Sequence, residues 1–384
     1  MQHIAARKIL DSGFALVLSD RNPAAVCAPL ADLFLPIDTF DVAGHLEAAE
    51  QVKNKFDLKA VMTFGADCHY TVASLAKHLG LHGIDPEISQ ICRNKVKTRE
   101  VLSKTGLYQP LSYRVSSYQE ALDVLEKYPE VSFVMKATDN SGSRGFQVLE
   151  AHNQLSKAQF EYTQNFGTTG CVILEERLIP DPTQISEASV ETLWVDGSMY
   201  FLNWVDRIFP TDLKFFPMIN MPFQLVEGIE VGHINPAKHH FSVKKQVEDS
   251  MRKAGHALGM QHQKGGHLLK GDIFFSEKGP VILEVTPRSS GGWDSSGSSP
   301  SRSADLAGGV LHIAQGNMVT LEDWYRYFHY RDAECTAVVL SKIREEAVDC
   351  IGRQFTLVAG HNDTAALIQI ALKQLEEERY VSVQ

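Results

Sequence analysis

The sequence predicts an α/β N-terminal part on a parallel sheet, passing into α+β units. Short apolar strands alternate with helices over the first 93 residues, as in β-α-β units. Beyond them the order changes to strand–helix–strand and a strand hairpin. The length, 384 residues, suits two or three domains at roughly 150 residues each, with ample core.

The elements read in order. Residues 2–12 form a helix ending at Gly13, and Phe14–Leu18 is a short strand closed by Asp20-Arg21-Asn22-Pro23. Leu33–Ile37 is a second strand, 42–55 a helix, Lys59–Phe64 a third strand and Tyr70–Leu79 a helix. Asn94–Thr105 is a charged helix stopped by Gly106 and Pro110. Then come the strand Ser112–Val115, the helix Tyr118–Tyr128, the strand Ser132–Ala137 and a polar loop over 138–145. A further strand, a helix near 154–165 and the strand Cys171–Glu175 complete that unit. Two strands over 186–209 flank the turn Asp196-Gly197, and a helix spans 242–258. Leu268–Phe275 and Val281–Val285 form a hairpin, followed by helices near 303–315 and over Asp363–Glu378. The Ser- and Gly-rich stretch Thr286–Ser303 lies between a buried strand and a helix, the position of an active-site loop.

Composition excludes several functions. The 37 Lys and Arg against 47 Asp and Glu leave a net charge of −10, the wrong sign for a dedicated nucleic-acid binder. No run approaches the roughly 18 apolar residues of a membrane span. Arg7-Lys8 before Ile9-Leu10 faintly resembles a signal peptide, but Asp11 interrupts the apolar stretch. Cysteines 27, 68, 92, 171, 335 and 350 are scattered with no C-x-x-C pair, so reduced thiols and a cytoplasmic location are expected. The histidines at 233, 239, 240, 256, 262 and 267 match no zinc spacing. There is no P-loop, no G-x-G-x-x-G and no G-x-S-x-G.

Three segments carry chemistry. Lys136 ends an apolar strand and runs into Thr138-Asp139-Asn140-Ser141-Gly142-Ser143-Arg144-Gly145. Small residues let backbone N–H groups approach an anion, and a neighbouring lysine suits a polyphosphate. Asp272 and Glu284 lie on facing strands of one hairpin, where two carboxylates suit Mg²⁺. Arg288 follows, in reach of charge developing on a phosphoryl or acyl group. Cys171–Pro180 is an apolar strand running into Glu175-Glu176.

In this order the motifs resemble the ATP-grasp superfamily, specifically its carboxylate–amine ligase branch, over nearly the whole chain. Asn94-Lys95, the helix and Gly106-Leu107-Tyr108-Gln109-Pro110 look like the family's entry motif. The resemblance implies that Lys95 and Lys136 are the ATP lysines and that Ser141, Gly142 and Ser143 form the loop over the phosphates. It puts Glu175, Glu176 and Leu178 at adenine and Glu187 at the ribose. The long interval after Leu178 leaves Asp181 as the alternative ribose acid. The strings Lys270-Gly271-Asp272-Ile273 and Pro287-Arg288-Ser289-Ser290-Gly291-Gly292-Trp293 resemble one group of these ligases. They imply Lys270 near the nucleotide, Asp272 and Glu284 on Mg²⁺ (or Mn²⁺), and Arg288 as the catalytic arginine. Arg207, Ser290, Gly291 and Gly292, with Arg288, would face the substrate.

Two departures stand out. Thr286 occupies a position where many members place a metal-holding Asn, and the chain opens in a helix where relatives open with a strand and a glycine turn. The expected parts are a pre-ATP-grasp domain over 1–93 lacking that strand, a lid over 94–176, a nucleotide- and metal-binding body over 177–320 and an appendage over 321–384. The implied reaction joins a small carboxylic acid, an amino acid among the candidates, to an amine through an acyl phosphate, releasing ADP. Rival readings are a bicarbonate-using carboxylase or carbamoyl-phosphate-type enzyme and a non-catalytic ATP-binding regulator. Symmetry statistics suggest a homodimer.

Overall fold

A computed structural model describes residues 2–140, 142, 144–151, 155–216, 230–291, 298–331, 336–343, 353–360 and 364–376. Helix α1 (Gln2–Asp11) leads into β1 (Val17–Ser19), which pairs in parallel with β2 (Leu33–Leu35). Helix α2 (Val42–Val52) is capped by Asp41, whose side chain accepts from Gly44 N–H. Helix α3 (His69–Leu79) ends at left-handed Gly80, and α4 (Pro86–Arg93) starts on an Asp85 cap with proline at its first turn.

One expected strand is absent. Lys59–Phe64 joins no ladder among the described residues. Its residues instead line a cavity of about 610 Å³ with Leu16, Val17, Val52 and Leu75. An apolar run reports burial, and burial alone does not supply a partner strand. Helix α4 also lay outside the sequence reading; its cap, Asp85-Pro86, was its signal.

The second unit starts with α5 (Lys95–Leu102), capped by Asn94. Strands β3 (Ser112–Val115), β4 (Phe133–Ala137), β5 (Gln147–Leu149) and β6 (Val172–Glu176) form an antiparallel sheet in the order β3-β6-β4-β5. Helices α6 (Tyr118–Lys127) and α7 (Lys157–Gln164) contribute Ala121 and Phe160 to a core with Phe133, Met135 and Leu174.

The third unit is a seven-stranded antiparallel sheet. Strands β7 (Glu187–Val195) and β8 (Ser198–Ile208) flank Asp196 and Gly197, both at positive φ as a tight hairpin turn requires. Strand β9 (Gly232–Asn235) follows, then helix α8 (Phe241–Leu258). Strands β10 (Gly266–Ser276) and β11 (Gly279–Thr286) make the expected hairpin. After α9 (Leu306–Ala314) and the short α10 (Leu321–Asp323) come β12 (Thr336–Ile343), β13 (Arg353–Gly360) and α11 (Thr364–Glu376). The sheet order is β11-β10-β7-β8-β9-β12-β13. Residues beyond 320, set apart by sequence as an appendage, therefore extend this same sheet.

Helix α8 packs Val247, Met251 and Ala254 onto Trp194, Leu269 and Ile273. Gly255 permits that approach: a Cβ there would stand 2.0 Å from Trp194 Cζ2. Among the described residues no helix is long and apolar enough to cross a membrane. The described cysteines, 27, 68, 92 and 171, are free thiols.

Candidate active site

The charged residues singled out by sequence converge where the four-stranded sheet faces β7, β10 and β11. A cavity of about 590 Å³ there is lined by Lys95, Lys136 and Gly142 from the second unit. Glu187, Arg207, Asp272 and Glu284 line it from the third. Glu175, Glu176 and Leu178 sit at its edge.

Glu175 is 2 % exposed, and its carboxylate is fully engaged. Arg99 Nε donates to Oε1 at 2.5 Å and Lys136 Nζ to Oε2 at 2.6 Å. Burial opposes ionisation, yet Lys136 and Arg99 outweigh it and hold this carboxyl below the usual range. Arg99 also donates to the carbonyls of Ile282 and Leu283, so it ties α5 to β11. Nothing in the charged 94–105 pattern distinguishes Arg99, whose burial is a tertiary fact. Lys95 Nζ donates to the carbonyl of Asn140, a residue of the polar loop after β4. Ser141 and Ser143 lie outside the described residues.

The metal-type acids are cross-strand partners, Asp272 on β10 opposite Glu284 on β11. Directly opposed residues share one face of a sheet. Lys270, two residues along, donates to Asp272 Oδ2 at 2.6 Å and stands 4.0 Å from Glu284 Oε1. Burial would raise the Asp272 carboxyl, but Lys270 and Arg207 overcome it and hold it at about 2. Among the described residues, Asp272 Oδ1 is buried without a hydrogen-bond partner. A buried carboxylate oxygen left open beside a second acid fits a hard divalent cation. Thr286 Oγ1, the departure noted in the sequence, is likewise buried without a partner.

Arg207 belongs with these acids. Its guanidinium contacts Glu230 at 2.8 Å, Glu187 at 3.2 Å and Asp272 at 3.6 Å. Burial pushes the Glu187 carboxyl up to about 7 despite Arg207. Glu187 lines the cavity, whereas Asp181 does not; its carboxylate accepts from Thr183 and Gln184 in a local turn.

Arg288 stands apart, held by the N-terminal unit. It donates from Nε to Asp67 Oδ1 at 2.9 Å and from Nη2 to the same oxygen, and Nη1 donates to Ser289 O at 2.7 Å. Ser290 N–H donates to Glu191 Oε1 at 2.8 Å. Gly291 packs on Gly65, whose φ is +81°; a Cβ on Gly65 would meet Gly291 Cα at 2.7 Å. Gly292 lies outside the described residues. Among the histidines, His239 Nε2 pairs with Asp206 Oδ1 at 2.6 Å, and His267 stacks on His82. Among the described residues no cluster of three or more His, Cys, Asp or Glu forms a metal cage.

No family model matches the chain. It is 22 % identical over 288 residues to the uncharacterized protein y4rH of Sinorhizobium fredii, covering 74 % of this chain and 55 % of that protein. It is 23 % identical over 231 residues to alanine–anticapsin ligase of Bacillus subtilis, covering 57 % of this chain and 48 % of that one. The chain thus spans about half the length of the curated relatives it matches. Among solved structures, L-amino acid ligase from Bacillus licheniformis superposes with a TM-score of 0.72 at 17 % identity. That match covers 98 % of this chain and 94 % of the other. Lys95 on α5 and Lys136 on β4 line one cavity with an acid pair on β10 and β11, and together with an end-to-end superposition this gives the chain the ATP-grasp fold.

Proposed function

We propose that the protein is an ATP-dependent carboxylate–amine ligase that forms an amide or peptide bond and releases ADP and phosphate. One observation carries the reading: a single cavity gathers Lys95, Lys136 and the opposed acids Asp272 and Glu284, with Arg288 nearby. The chain's likeness to proteins named as amino-acid ligases supports it.

The chemistry follows from leaving groups. A carboxylate is a poor acyl donor because it would have to expel oxide. Its oxygen attacks the γ-phosphorus of ATP, the bond to the bridging oxygen breaks, and ADP leaves. The resulting acyl phosphate loses phosphate when an amine nitrogen attacks its carbonyl carbon and gives up a proton. Lys95 and Lys136 offset phosphate charge, and Glu187 takes the ribose. Asp272 and Glu284 would hold Mg²⁺, which neutralises charge on the phosphates. Arg288 steadies the oxyanion, and Asp67 fixes its orientation. The sheet β3-β6-β4-β5 acts as a lid that closes over the nucleotide and keeps water from the acyl phosphate.

The test is product analysis with MgATP, a panel of acids and a panel of amines. ADP and phosphate that appear only when both are present support the reading. AMP, or ADP that requires bicarbonate instead, overturns it. ATP binding with no turnover across the panels would make the protein a nucleotide-binding regulator.

A further inference from the structure

The cavity of about 610 Å³ in the N-terminal unit has the make-up of a strand position. Two stretches of main chain border it, β1 and residues 59–64. Leu16 O accepts from Leu33 N–H, and Asp20 N–H donates to Leu35 O, so the even-numbered residues turn their main chain to β2. Alternate residues of a parallel strand turn their N–H and C=O groups to opposite sides. Those of Val17 and Ser19 therefore lie on the side away from β2. Among the described residues, no main-chain N–H from Lys59 to Phe64 donates a hydrogen bond. Of their carbonyls only that of Phe64 accepts one, from Gln2 Nε2 at 2.6 Å. Each buried main-chain group left unpaired costs about 1–3 kcal/mol, so both borders call for a partner with main-chain donors and acceptors.

Helices cover the two faces. Successive strand residues point to opposite faces. Leu16 packs with Ala6 and Ile9 of α1, whereas Ser19 Oγ meets His45 Nε2 of α2 at 2.8 Å. Residues 16 and 19 have opposite parity, so α1 and α2 lie on opposite faces of β1. Both helices line the cavity, through Ala6 and Ile9 on one side and Ala49 and Val52 on the other. A segment between them is covered on both faces and must be apolar on both, like a strand inside a parallel sheet. The direction is also set. Helix α1 runs from Gln2 to Asp11, the chain turns at left-handed Gly13, and β1 returns along α1. Gln2 holds Phe64, the last residue of the other border. Both borders therefore end at the start of α1.

We propose that this cavity seats a peptide strand of about six residues, apolar on both faces, lying parallel to β1 between it and residues 59–64. Its carboxyl end lies beside Gln2. That end favours a segment running on into α1 as the source, because strand, α1 and β1 then form a β-α-β unit. Seated there, the strand fixes residues 59–64. It thereby steadies Gly65 and Asp67, which hold Gly291 and Arg288. The proposal is independent of the ligase reading.

The experiment compares the 384-residue chain with the same chain carrying a probe strand fused to its amino terminus. The probe alternates valine and leucine behind one solubilising lysine and joins the chain through a short glycine linker. The fusion should melt about 5 °C or more above the unmodified chain. Amide exchange at Val17, Ser19 and residues 60–63 should slow about tenfold or more, with exchange in β7 and β10 unchanged. A control fusion with proline at alternate positions lacks half the N–H donors and should give neither effect. A melting point and exchange pattern equal to those of the proline control overturn the proposal. The same probe added free tests the unmodified chain, and does so alone should the fusion aggregate. Protection of those amides by excess free probe, and not by its proline version, supports the strand site; no protection overturns it. Equal protection by equimolar free probe and by the fusion overturns the tie to α1 and assigns the strand to another chain.

Discussion

Lys136 and Glu175 form an ion pair between neighbouring strands of the four-stranded sheet, Nζ to Oε2 at 2.6 Å. Arg99 holds the other oxygen, so the acid joins Lys136 on β4 to an arginine of α5 that is itself anchored on β11. Removing one partner of a buried pair leaves a charge without compensation and costs about 3–5 kcal/mol. Glu175→Gln should lower the unfolding midpoint and weaken nucleotide binding together. Lys136→Ala should abolish ADP release with a smaller loss of stability, because Arg99 still neutralises Glu175. Denaturant unfolding and nucleotide titration on the same samples check both.

Glu284 should separate metal binding from folding. Its side chain is 28 % exposed, so exchanging the carboxylate for an amide strands no fully buried charge. Glu284→Gln is expected to keep the melting temperature and lose turnover. The Mg²⁺ concentration needed for ATP to stabilise the protein should rise at least tenfold, as read by a thermal-shift titration.

The Gly65–Gly291 contact predicts a steric lesion. Gly65→Val combines a positive φ with a backbone clash. It should cost about 1–3 kcal/mol and raise the KM of the acid through displacement of the Arg288 loop. Gly13 also has positive φ, but nothing lies near its would-be Cβ. Gly13→Ala should therefore be milder in stability and silent in KM.

A pH effect follows from His267. Burial, reinforced by the charge of His82, lowers it to about 4 from an ordinary 6.5. Between those values the unfolded chain binds a proton that the native state refuses. Stability is thus complete above pH 6.5 and is lost as pH falls towards 4, by up to about 3 kcal/mol from this one ring. His267→Gln should flatten that part of the pH–stability curve. A curve as steep as the wild type would refute the assignment.

Much of this architecture was legible in the sequence because punctuation and chemistry coincide there. Asp196-Gly197 sets a hairpin, Asn94 caps a helix, and Lys136 is the next-to-last residue of an apolar strand. The charged cavity was legible for a related reason: Lys95 starts a helix, Lys136 lies one residue from a strand end, and Asp272 and Glu284 face each other across a hairpin. What escaped depended on long-range contact. Arg99 looks like a surface arginine until Glu175 and β11 close over it. Lys59–Phe64 has the composition of a strand but no partner. Strands β12 and β13 complete a sheet begun almost 150 residues earlier, and no local signal announces that pairing.

The roughly 610 Å³ void within the N-terminal unit also sets how the molecule answers compression. Unfolding eliminates internal free volume, so its partial molar volume change is negative and scales with the space removed. Hydrostatic pressure should therefore open residues 2–93 before the seven-stranded sheet yields. Amide signals of β1, β2 and α1 would broaden first under pressure, while those of β7 and β10 hold. The unit that contributes Asp67 is then the compressible one, and Arg288 would lose its orientation under pressure while the cavity lined by Lys95, Lys136, Asp272 and Glu284 stays intact.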